Sequence, residues 1–157
     1  MTWHSLETGT VRELLTKIHL EDWGWTKEEV PNLAERFGWT PWSDKSANQI
    51  FYNIGSDYRS IVAIFSCEKN DVTHLFLTLG RNEGAITPES TRSSEMLFTD
   101  TYNIISEILG EPSNWPPSEN MEEEVEWVSG VSTITLMGRA DMVSLRWELT
   151  ERIEPAI

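Results

Sequence analysis

The sequence is poor in three things: cysteine, histidine and positive charge. Its 157 residues include one cysteine, three histidines and 12 lysines and arginines, against 26 aspartates and glutamates. A single thiol excludes an internal disulfide, and Cys67 ends the apolar run "YRSIVAIFSC", which predicts a buried thiol acting as a small hydrophobe. The start, "MTWHSLETGTVREL", has no basic stretch followed by an apolar one, and no run approaches the roughly 18 apolar residues needed to span a bilayer. Together these absences predict a cytoplasmic chain in a reducing setting, without a membrane partner. His4, His19 and His74 have neither the spacing nor the cysteine neighbours of a zinc site. Phosphate-binding glycine loops and nucleophile elbows are missing as well. The expectation is therefore a non-enzymatic chain with no catalytic residue, no cofactor and no structural metal.

The formal net charge of −14 argues against nucleic acid, whose recognition needs a basic footprint. The surplus is uneven. Residues 1–86 hold 12 acids and 8 bases, residues 87–157 hold 14 acids and 4 bases, and no Lys or Arg occurs from Ser93 to Gly138. Within that gap Glu95, Asp100, Glu107, Glu111, Glu119, Glu122, Glu123, Glu124 and Glu126 are expected to add their fields without a neighbouring cation. The cluster from Glu119 to Glu126 lacks the alternating Asp/Asn and Gly of a calcium loop, so a solvated rim or a docking surface fits it better than a cation site.

Apolar periodicity predicts the elements. Val11, Leu14, Leu15 and Ile18 follow a Thr10–Glu13 capping box and read as a helix to about Leu20. "TKEE" at 26–29 repeats the device before Val30, Leu33, Ala34 and Phe37, and Gly38 ends that second helix. "NQIFYNI", "YRSIVAIFSC" and "VTHLFLTLG" read as a three-stranded meander. Thr87 and Pro88 open a helix of about twenty residues that Gly110 and Pro112 close. "EVEWV", "STITLMG" and "MVSLRWELT" alternate as three more strands, the last directing Val143, Leu145, Trp147 and Leu149 to one side. The order ααβββαβββ predicts one α+β domain over residues 1–157, a single antiparallel sheet of about six strands with helices packed on one face.

Four of the eight tryptophans, Trp23, Trp25, Trp39 and Trp42, crowd into residues 23–42. Flat rings at a surface would stack on a sugar or a proline-rich peptide and make a ligand pocket. The preferred reading is core, because Gly24 separates one pair in a tight turn and the other pair follows a helix C-cap, where a contact back onto the helix is usual. The stretch "DWGWTKEEVPNLAERFGW", with the later "LGEPSNW" and "VEWV", resembles a family of small uncharacterised actinobacterial proteins. That resemblance implies a bacterial cytoplasmic protein and carries no assigned catalytic residue. More distantly, the layout is similar to that of secretion chaperones and small immunity proteins. The functional expectation is a protein-binding module that engages a basic partner through its acidic C-terminal half, at Glu119, Glu122, Glu123, Glu124 and Glu126. A small-molecule or peptide binder using the tryptophans is the alternative, and an enzyme with an unrecognised acidic site stands third.

Overall fold

The structure is a computed structural model, and it describes residues 3–45, 48–54, 61–113 and 123–150. The first helix, α1 (Thr8–Leu20), buries Val11, Leu14, Leu15 and Ile18 as the spacing requires. It starts earlier than expected. Val11 N–H already bonds to Glu7 O at 3.0 Å, so Thr10 lies inside the first turn and the Thr10–Glu13 box does not form. A short 3-10 turn (Lys27–Glu29) leads into α2 (Val30–Phe37), which carries Pro31 in its first turn. Gly38, at φ 76°, closes α2 in the left-handed conformation that glycine adopts without a Cβ penalty, and its N–H returns to Ala34 and Glu35 carbonyls. The second expected box is redirected. Glu29's carboxylate accepts from Gly24 N–H (2.7 Å) and Thr26 Oγ1 (3.2 Å), closing the "DWGW" turn rather than capping the helix.

The strands are β1 (Trp3–Ser5), β2 (Thr40–Lys45), β3 (Gln49–Asn53), β4 (Val62–Glu68), β5 (Asp71–Asn82), β6 (Glu123–Ser129), β7 (Ser132–Arg139) and β8 (Met142–Leu149). The long helix α3 (Pro88–Leu109) lies between β5 and β6, and at its start Thr87 and Ser90 form a reciprocal capping box before Pro88 winds the first turn. All pairings are antiparallel, in the order β2-β3-β4-β5-β8-β7-β6, with β1 laid against the far end of β5. The expected sheet of about six strands is thus an eight-stranded one. The additions are β1, three residues long, and β2, whose Pro41 and bulge between Pro41 and Lys45 conceal its period.

The helices cover one face. Phe65, Leu75, Leu77, Val125, Trp127, Ile134, Leu136, Val143, Leu145 and Trp147 meet Leu14, Leu15, Ile18, Leu33, Phe37, Leu97, Ile104 and Ile105 in one apolar core. Gly138 lets α3 come close to β7: a Cβ there would stand 2.5 Å from the Phe98 ring. Cys67 is buried, and burial pushes its thiol above the ordinary range, as suits an inert small hydrophobe. No helix among the described residues is long and apolar enough to cross a membrane.

Candidate functional site

Period-2 alternation sends every second strand residue to the face that no helix among the described residues covers. Cross-strand register assembles that face in rows. One row runs Phe51, Ile64, Phe76, Arg146, Thr135, Glu126 across β3, β4, β5, β8, β7 and β6. A flanking row carries Ser144, Met137 and Glu124, and the opposite one carries Glu148, Thr133 and Val128. The face is therefore divided. Its β2–β5 side is apolar, with the half-buried Phe51, Ile64 and Phe76, and Trp42 stacked on Phe51 at 6.1 Å and 19°. Its β6–β8 side carries Glu124, Glu126, Glu148 and Arg146 above a floor of small buried residues, Thr133, Thr135 and Ser144.

The charged groups on this side sense one another. Burial pushes the Glu148 carboxyl above the ordinary glutamate value; the Arg146 guanidinium pulls it back, and the Glu126 carboxylate pushes it further up. His74 is half-buried, and burial together with the nearby Arg146 charge holds its imidazole below the ordinary value, which favours the neutral ring. Arg146 Nη2 donates to the thioether of Met137 at 3.7 Å.

Of the acidic residues singled out in the sequence, Glu124 and Glu126 share the helix-free face of the edge strand β6, and Glu123 opens that strand. Glu119 and Glu122 lie outside the described residues. Glu107 does acquire a cation: Arg12 of α1 reaches it at 2.7 Å, a pairing between elements 95 residues apart that a run-of-charge count does not see. Glu148 and Arg146 alternate with the core-facing residues of "MVSLRWELT", and their isolation among apolar neighbours is the signal that the sequence offers for them.

The four clustered tryptophans do not come together. Trp23, Trp25 and Trp39 are 7, 3 and 7 % exposed and belong to the core. Trp23 lies 4.8 Å from Trp25 and 6.1 Å from Trp147, between ring centroids, and Trp39 sits tilted against Phe37 and Phe65. Trp25 takes a left-handed φ of 57°, which returns the chain onto the β4–β5 hairpin, where Trp25 O accepts from Val72 N and Lys27 N donates to Asn70 O. Trp42 is on β2, on the opposite face of the sheet. A turn carbonyl reaches one indole, Trp127 Nε1 to Gly110 O at 3.1 Å, but among the described residues Trp23 Nε1 and Trp147 Nε1 find no acceptor. Trp39 walls part of a cleft of about 160 Å³ with Leu14, Phe37 and Ile54, and the Glu13–Lys17 ion pair belongs to its lining.

The described part of "LGEPSNW", residues 109–113, fits against "VEWV". Besides the Trp127–Gly110 bond, Ser113 N donates to Glu126 O at 2.6 Å and Ser113 Oγ accepts from Val128 N at 3.2 Å, so the segment after α3 covers part of the open edge of β6. Among the described residues no three His, Cys, Asp or Glu side chains gather to hold a metal ion.

A crystal structure of a DUF4309 family protein (YjgB) from Bacillus subtilis subsp. subtilis str. 168 is similar at 12 % identity and a TM-score of 0.44, covering 91 % of this chain and 97 % of its own. No curated protein matches the chain. Residues 9–149, from α1 to the last residue of β8, match a family of unknown function, DUF6301, and the chain belongs to that family.

Proposed function

We propose that this chain is a non-enzymatic protein-binding module whose helix-free sheet face and β6 edge engage a basic protein, in the manner of an immunity or export-chaperone protein. One observation carries the reading: Glu124, Glu126 and Glu148 emerge together on the sheet face that none of the described helices covers, next to the half-buried aromatic strip of Trp42, Phe51 and Phe76. An interface needs an apolar centre for affinity, and charges at its border to speed encounter and select the partner. The net charge of −14 supports a basic partner and opposes nucleic acid. To test it, the chain and a Glu124→Gln/Glu126→Gln/Glu148→Gln variant would be used as bait, and the association rate of each captured protein measured at low and high salt. The expected outcome is a partner whose association slows by about tenfold or more in the variant at low salt and less so at high salt. A partner indifferent to both salt and substitution would overturn the reading.

A second reading rests on the cleft beside Trp39, where aromatic walls and the Glu13–Lys17 pair suit a small molecule or peptide end. Its signature is a change in tryptophan fluorescence on ligand addition with little dependence on salt.

A further inference from the structure

Arg146 is half-buried in the middle of the helix-free face, with Phe76 beside it on β5 and the small, buried Thr135 beside it on β7. Its one hydrogen bond among the described residues goes to a thioether, a weak acceptor for a guanidinium. Glu148 senses the Arg146 charge and the Glu126 carboxylate, yet among the described residues no carboxylate forms an ion pair with Arg146. Among the described residues, no acceptor takes up the remaining donors of its planar fork. A guanidinium partly withdrawn from water with its donors unfilled costs free energy, unlike the exposed Arg12 and Arg36, which both reach carboxylates at close range.

We infer that Arg146 is the pin that sets register with the basic partner: the partner presents one carboxylate to the Arg146 fork, flanked by cations that meet Glu126, Glu148 and Glu124. This rests on the docking reading above and narrows it. A free small anion would be repelled by the surrounding glutamates. A uniformly cationic surface would set a positive charge against Arg146. The complement of an arginine ringed by glutamates is a carboxylate ringed by lysines or arginines, and one mismatched charge at such a centre discriminates more strongly than several at the rim. The bidentate geometry of a carboxylate on a guanidinium fixes orientation as well as position. The strip of Phe76, Ile64 and Phe51 continues the same row, so apolar partner residues would lie to one side of the carboxylate.

Two capped synthetic peptides of extended sequence, Lys-Thr-Glu-Thr-Lys and Lys-Thr-Gln-Thr-Lys, separate the possibilities, because alternate residues of an extended peptide face the same way. Titrated into the isotope-labelled protein and followed by amide and arginine side-chain resonances, the Glu peptide should bind at least about fivefold tighter despite its lower net charge, and should shift the Arg146 Nε–H signal. In Arg146→Gln the order should reverse, since only net charge then counts. Arg146→Lys should keep part of the preference; it also serves as the probe if the Gln variant fails to fold. If wild type prefers the Gln peptide while Glu124, Glu126 and Glu148 respond to both, the pin is wrong and the docking reading stands. If neither peptide perturbs those three residues, the docking reading falls and takes the pin with it.

Discussion

Trp23 and Trp39 sit against other rings with 7 % of each surface left to solvent, so truncation leaves a cavity that rigid aromatic neighbours cannot fill. Trp23→Ala and Trp39→Ala should each lower stability by about 3–5 kcal/mol in denaturant titrations. Variants that unfold at the wild-type midpoint would refute the core placement. Glu148 tests the helix-free face by pH. The folded chain holds its proton more tightly than the unfolded chain does, so this residue's contribution to stability is greatest below the ordinary carboxylate range and declines as pH rises towards the raised folded value. Glu148→Gln should therefore gain on wild type in thermal melts as pH rises above the ordinary carboxylate value of about 4. His74 has the opposite sign, losing stability as pH falls below its ordinary value, but it is common to both proteins and cancels in the difference. Some residues announced their places: Gly38 closes a helix because only its φ suits the cap, and Thr87 with Pro88 opens one. Others could not. Trp42 follows the same C-cap as Trp39, and only the pairing of β2 with β3 carries it to the other side of the sheet.

At the scale of elements, the sheet is two antiparallel meanders, β2–β5 and β6–β8, joined where β5 pairs with β8. Local alternation revealed the hairpins of each, because turn residues and period-2 patterns lie within a few residues of one another. The seam was illegible, since it pairs Leu75 with Trp147 across a whole helix and two strands. So was the cover on β6, which depends on Ser113 meeting Glu126 and Val128. Ser113→Ala should remove the acceptor for Val128 N–H. The expected cost is about 1 kcal/mol, with faster hydrogen exchange at Val128 but not at core amides such as Leu136. Unchanged protection at Val128 would mean that the edge is held by something other than Ser113.

For the whole molecule, the net charge is −14, and among the described residues the ion pairs Arg12–Glu107, Lys17–Glu13 and Arg36–Glu21 each involve at least one exposed group. Self-repulsion should therefore be a measurable load on the fold. Raising ionic strength from about 10 mM to about 150 mM shortens the screening distance from about 30 Å to about 8 Å, and Tm should rise by a few degrees. A flat or falling Tm would show that the carboxylates do not strain the folded chain. The core offers a separate optical handle on that experiment. Trp23, Trp25 and Trp147 stand 4.8 to 6.1 Å apart, close enough for their excited states to be shared between indoles rather than confined to one. Ultraviolet circular dichroism should then display paired bands of opposite sign that isolated tryptophans lack. Those bands belong to one joint, where the turn between α1 and α2 meets β8, so their loss on melting would time the parting of the helical layer from the sheet independently of the backbone signal.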